Sequence, residues 1–283
     1  MNLRLLTISL SSCATISAAL PEISVSAARS ETGNAIVLTW SGGKPSYQLQ
    51  KRATFDAPWT NVGIPSSFAT AVVELTDEAG FYRVVQDFTA QYRVTFDATW
   101  SPATHPTAFP SGAHWSGLVG GVHNERVHFW REGETASLGI QNMAERGIQS
   151  TLVSEINPAI TAGNAQFTMT GAILGTSPGS TSLNFPQAMR RDFPLVTLVS
   201  MIAPSPDWFV GVDSLSLIEN EEWVSTKTVT LYGFDAGTDS GSSYASQDLV
   251  TTPRGVITRF SGFPALVSGT IVPFGTFTFT RLD

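Results

Sequence analysis

The sequence predicts an all-β protein made of two antiparallel β-sandwich modules. Three observations predict it. Short runs of β-branched and aromatic residues alternate with polar ones along most of the chain, and turns rich in Gly, Pro, Asp and Ser separate them. No segment carries a long helical repeat, and no βαβ alternation appears. Hydrophobic residues make up 42 % of the 283 residues and charged residues only 14 %. That composition fills a core and excludes a disordered chain, and the length suits one large or two modest domains.

Residues 1–19 read as an export signal. Arg4 supplies the positive start, the apolar stretch runs from Leu5 towards Leu20, and Ser17-Ala18-Ala19 is a small-residue cleavage pattern. The expected location is therefore secreted, either extracellular or periplasmic in a bacterium. Leu10-Ser11-Ser12-Cys13 also has the form of a lipoprotein box, so a lipid anchor at Cys13 is the alternative to cleavage near Ala19. Cys13 is the only cysteine, so the chain without its signal has no disulfide despite the export signal.

Residues 20–88 form the first expected module. Ile23-Ser24-Val25, Ala35 to Trp40, Tyr47 to Arg52, Ala71 to Leu75 and Gly80 to Val85 are short β-type runs. Gly42-Gly43, Asp56-Ala57-Pro58 and Pro65-Ser66-Ser67 read as the turns between them. Trp40 and Trp59 are expected to pack in the core rather than stack on carbohydrate. About 65 residues lies near the lower limit for a self-sufficient core.

Residues 89–283 form the second. Tyr92 to Phe96 opens it as a strand, Ser101 to Ser111 is a Pro-rich loop, and Val122 to Trp130 is a further strand candidate. A short helix is expected over Ala136 to Glu145 with Gly147 as terminator. Leu152 and Ile156, four apart, indicate a second, limited by Pro158. Leu195 to Ala203 is mostly apolar but nine residues long, well short of the roughly 20 that cross a bilayer as a helix. It reads as a buried strand, and no transmembrane span is expected. Phe209 to Leu217 and Val224 to Phe234 follow as strands, and Thr276 to Thr280 alternates as the last.

The net charge of −7 and pI near 5.1 exclude nucleic acid and anionic membranes as expected partners. His105, His114, His123 and His128 are spaced nine, nine and five apart. The odd separation of the last pair puts them on opposite faces of a strand, against a shared zinc ion. No Gly-x-Ser-x-Gly elbow occurs. Asp239-Ser240-Gly241 matches an aspartic-protease triplet, but those enzymes pair two such carboxylates and no second triplet is present. Glu145 and Glu155 read as solvated helix residues. No catalytic residue is assigned.

The chemistry concentrates between Ala203 and Gly241. Asp207 ends one Pro-rich loop, and Asp235 and Asp239 lie in Asp235-Ala236-Gly237-Thr238-Asp239-Ser240-Gly241. If the intervening strands cross one sheet, both loops return to the same end of it. Carboxylates held together repel unless a proton or cation lies between them, and calcium takes six to eight oxygens from such loops. The competing reading is an ordinary solvated turn, since Asp, Gly, Ser and Thr all favour turns. An EF-hand is excluded, because Gly237 and Ser246 stand where its third and twelfth ligands belong.

The run Met201-Ile202-Ala203-Pro204-Ser205-Pro206-Asp207-Trp208-Phe209-Val210-Gly211-Val212 and the Asp235–Gly241 run resemble the spondin domain, the amino-terminal module of F-spondin and mindin. So do Phe96-Asp97-Ala98-Thr99-Trp100-Ser101, His105-Pro106, Ala113-His114-Trp115-Ser116 and Ala144-Glu145-Arg146-Gly147. The resemblance covers roughly Gln91 to Phe260. It implies a C2-like sandwich in which Asp207, Asp235 and Asp239 bind Ca2+. Animal members carry cysteines that this chain lacks. Residues 20–88 are similar to fibronectin-type-III-like accessory modules of bacterial surface proteins, on Trp40, Trp59 and Phe81-Tyr82-Arg83-Val84. The implied function is extracellular adhesion or attachment to a cell-surface or matrix protein or glycan, without enzymatic activity. The alternatives are a secreted hydrolase acting on a surface polymer, and a domain that calcium merely staples together.

Overall fold

The structure, a computed structural model, describes residues 23–31, 33–43, 47–74, 80–86, 89–220 and 222–283. The export signal and Cys13 lie outside the described residues. The chain divides into two compact units, residues 1–88 and 89–283.

The first unit contains two three-stranded antiparallel sheets. Ala35–Ser41 is central between Ser24–Arg29 and Thr70–Glu74, and Tyr47–Arg52 is central between Thr60–Ser66 and Phe81–Val85. The two central strands supply its core. Leu38 and Trp40 from one and Tyr47 and Leu49 from the other are buried together, with the Trp40 and Tyr47 rings edge-on at 5.7 Å.

Two expectations for this unit are corrected. Pro65-Ser66-Ser67 is not wholly a turn, because Thr60–Ser66 is a strand. It lies at a sheet edge, where proline's missing N–H need not break a ladder. Trp59 is not a core residue. It lies between two guanidinium groups, 4.4 Å from Arg52 and 4.5 Å from Arg83. Arg52 pairs with Phe81, two residues from Arg83 on the neighbouring strand, so the two arginines share one face and clasp the indole between them.

The second unit has three layers. Its larger sheet runs in the order Ala165–Thr170, Val119–His123, Leu195–Ala203, Trp208–Ser216, Gly233–Asp235, Thr258–Arg259, with His114–Trp115 pairing beside the end of Leu195–Ala203. The second sheet runs Gly179–Asn184, Tyr92–Ala98, Gly275–Arg281, Thr226–Leu231. Every pairing in both is antiparallel. Phe96, Trp100, Trp115, Leu198, Phe277 and their neighbours fill the space between the sheets. Two helices, α1 (Leu138–Arg146) and α2 (Ser150–Thr161), cover the other face of the larger sheet through Ile140, Met143, Leu152 and Ile156.

This layering explains the largely apolar run at Leu195–Ala203, whose two polar residues, Thr197 and Ser200, are buried and hydrogen-bonded. Val196, Leu198 and Ile202 face the inter-sheet core, whereas Val199, Met201 and Ala203 face the helices. A strand covered on both faces has no polar side to show.

Ser137 caps α1 by accepting the Ile140 N–H at 3.1 Å, and Gly147 ends it at φ 66°. Pro158 does not limit α2 but lies inside it, and the helix continues to Thr161. Pro158 and Ser154, whose carbonyl loses its helical donor, are both exposed, so water can replace that bond. Nor is Glu155 a solvated helix residue. Its carboxylate accepts the Ser137 hydroxyl and the Gly139 N–H, both at 2.7 Å, clamping the start of α1. The close approach requires Gly139, since a Cβ there would stand 2.7 Å from the Leu152 Cα.

Two strand expectations also change. The strand expected over Val122 to Trp130 ends at His123, and Trp130 is buried in the helix-side core from a loop. The strand expected over Val224 to Phe234 is two strands in different sheets, Thr226–Leu231 and Gly233–Asp235. Crossing between sheets at this point sets Asp235 beside Trp208.

Candidate metal centre

Asp207 immediately precedes the strand Trp208–Ser216, and Asp235 ends the strand Gly233–Asp235. The two strands pair antiparallel with Trp208 opposite Asp235, so the start of one lies at the end of the other. Both Asp loops therefore stand at one end of the larger sheet.

Each loop is closed by its own chemistry. The Ser205 hydroxyl accepts the Trp208 N–H at 3.1 Å. Asp235 and Asp239 each accept the N–H two residues on, from Gly237 and Gly241, both at 2.7 Å. These are tandem Asx turns, built by a repeated Asp-x-Gly unit. Gly237 adopts φ 71°, and a Cβ there would meet the Gly255 backbone at 2.7 Å, so both conformation and space demand glycine.

Asp207 joins the two loops. Its Oδ2 accepts the N–H groups of Thr238 at 2.7 Å and Asp239 at 3.0 Å and the Thr238 hydroxyl at 3.2 Å. Asp239 in turn accepts the Leu249 N–H at 3.0 Å through Oδ2, which brings the 241–250 segment against the site. Asp207 is fully buried and Asp239 is 5 % exposed. Burial pushes the Asp207 carboxyl up to about 6, and the charge of Asp235 pushes the same way against those hydrogen bonds. Burial likewise raises Asp235, and the charge of Asp239 adds to it.

The donor set partly fits a hard cation. Asp207 Oδ1 is buried and has no hydrogen-bond partner, and after burial the charge of Asp235 raises the proton affinity of Asp207 as that of Asp239 raises the proton affinity of Asp235. A cation would relieve both, and all the donors are oxygens. Against this, both Asp239 oxygens already accept N–H groups. Among the described residues no three His, Cys, Asp or Glu side chains form a ready metal-binding group. Any shell would have to be completed by other oxygens.

Sequence reasoning missed Thr238, which gives Asp207 two of its three hydrogen bonds, and Leu249. Thr238 had one signal, its place between the two Asp-x-Gly units. Leu249 had none, because its partner is set by the path of a long loop. The histidines have other partners, and His114 pairs with Ala203 at this same end of the sheet, its Nδ1 2.8 Å from the Gly112 carbonyl. His123 is buried with Nε2 at 2.8 Å from the Thr197 hydroxyl, His128 pairs with Glu134 at 2.8 Å, and His105 is buried against Phe274.

The Spondin_N family model matches residues 90–265, a stretch that holds all three aspartates and both helices. Spondin-2 of Homo sapiens is 36 % identical over 165 residues, covering 55 % of this chain and 49 % of that protein. Spondin-2 of Rattus norvegicus is 36 % identical over 197 residues, covering 62 % and 58 %. Spondin-1 of Xenopus laevis is 32 % identical over 194 residues, covering 64 % of this chain and 24 % of that protein. The chain spans about half the length of the Spondin-2 relatives it matches. With more than half of its length matched by the family model, the chain belongs to the Spondin_N family.

Proposed function

We propose that this chain is a secreted, calcium-binding member of its family that acts as an extracellular adhesion or surface-binding module rather than as an enzyme. The observation that carries the reading is Asp207 Oδ1, a buried carboxylate oxygen without a donor among aspartates that repel one another. Asp207, Asp235 and Asp239 would hold the ion through their carboxylates, with loop carbonyls and water completing the shell. The ion would supply positive charge beside Asp207 and Asp235, whose carboxyls burial and a neighbouring aspartate both push upward. Asp207 fastens the two loops together, and the end of the sheet they shape would meet a cell-surface or matrix protein or glycan. The export-type residues 1–19 and the family membership support the location. Among the described residues no helix is long and apolar enough to cross a membrane.

The test is a thermal melt of the full chain, first in excess chelator and then in millimolar calcium. Extracellular calcium modules bind at roughly 10⁻⁴ to 10⁻³ M. At about twenty times the dissociation constant, linkage gives about 1.8 kcal/mol, a rise of roughly 4–7 °C for a unit of this size. The rise should vanish in Asp207→Asn and Asp235→Asn. No rise, or an equal rise with magnesium, overturns the calcium reading and leaves the loops as hydrogen-bonded turns.

A further inference from the structure

The far end of the Leu195–Ala203 strand has the opposite character. His123 pairs with Leu195, so the loop after His123 and the turn before Leu195 stand side by side. Together with Gly163 they line an open groove of about 660 Å³. Arg126, Arg190 and Arg191 line it, against Glu125 and Asp192. A local excess of arginine runs against a chain of 16 basic and 23 acidic residues.

Both walls are held in place. The Asn124 backbone N–H donates to the Asn164 carbonyl at 3.0 Å, and its side-chain oxygen accepts the Arg126 N–H at 3.0 Å. Opposite, the Arg190 N–H is accepted by the Gln166 side chain at 2.8 Å, its guanidinium bonds Asp192 and its charge lies 5.3 Å from the Phe193 ring centre. Arg126 is exposed at the rim. All three cations are arginines, whose planar fork meets carboxylate or sulfate groups with two parallel hydrogen bonds.

We propose that this groove binds an acidic polysaccharide, a chain carrying carboxylate or sulfate groups, through Arg126, Arg190 and Arg191. The arginines come from two separate walls of an open groove, which suits anions spaced along a polymer better than one small enclosed anion. The overall charge of −7 repels a polyanion at long range, so capture depends on these short contacts and falls with salt. The groove and the aspartates lie at opposite ends of one strand, roughly 27 Å apart at about 3.4 Å per residue. The inference therefore stands apart from the calcium reading.

The test titrates the full chain with dextran sulfate, polygalacturonate, neutral dextran and single-stranded DNA. Both acidic polysaccharides should bind and neutral dextran should not. Arg126→Glu should weaken binding about tenfold and Glu125→Gln should tighten it about threefold, as for rim charges acting on one ligand. Arg29→Glu, an exposed arginine of the other unit, should change it less than about twofold on the same grounds. The tightening in Glu125→Gln keeps the test decisive if Arg126→Glu fails to fold. Equal weakening by Arg126→Glu and Arg29→Glu, equal binding of neutral dextran, or preference for the DNA overturns the proposal.

Discussion

The two units share antiparallel β structure and differ in what holds it. In the smaller unit, the buried core among the described residues rests on Leu38, Trp40, Tyr47 and Leu49, all inside one pair of sheets. In the larger, Phe96, Trp100, Trp115 and Phe277 interlock edge-to-face at 4.9–5.5 Å between the sheets, and a second core lies under the helices. A sheet covered on both faces is fixed along its length. At its end the Asp207 carboxylate is buried and held by the N–H groups of Thr238 and Asp239. The smaller unit has instead a surface clasp of Arg52 and Arg83 on Trp59, a contact of about 0.5–1 kcal/mol where exposed.

The largest effects should come from removing one large ring from each core. Trp40→Ala should cost about 3–5 kcal/mol, comparable to the whole stability of a domain so small. Calorimetry of the full chain should then show the larger unit melting alone. A surviving transition of the smaller unit would mean its core extends beyond those four residues. Trp100→Ala should cost a similar 3–5 kcal/mol but leave the larger unit folded, its Tm lowered by roughly 6–20 °C. Complete loss of that transition would place the two units on the same footing.

A smaller effect comes from acid. Burial lowers His105 from 6.5 to about 4, so the folded state keeps the ring neutral where the unfolded chain takes up a proton. Its contribution is therefore present above pH 6.5 and is lost as pH falls towards 4, about 3 kcal/mol at most. His105→Phe retains a ring against Phe274, which His105 meets at 4.4 Å, and should flatten stability between those pH values. Some slope should remain from His123, which burial also lowers. An unchanged slope in His105→Phe would show that the acid response arises elsewhere.

Local pattern made much of the fold legible. Tyr47–Arg52, Leu195–Ala203 and Gly275–Arg281 follow alternating or largely apolar runs, and the Ser137 and Gly147 caps of α1 follow from residue chemistry. Failures came where a neighbour overrode local preference. Pro65 is tolerated because its strand is an edge. Pro158 is tolerated because its turn of helix faces water. The break between Leu231 and Gly233 depends on a second sheet that no local window contains.

The three aspartates were legible as a pattern because Asp-x-Gly units announce their own turns, Asp235 to Gly237 and Asp239 to Gly241, through bonds two residues long. The β class and the two turns could thus be read from local pattern, because both follow from short-range sterics and hydrogen bonding. No local pattern shows that Asp207 reaches across 31 and 32 residues to the backbone of Thr238 and Asp239 and keeps one oxygen buried without a partner; long-range packing does this. Long-range packing likewise brings the arginines at 126 and 190–191 to one groove. Burial and charge proximity depend on which distant strands pair, and pairing is settled by packing the whole sheet between its two cores.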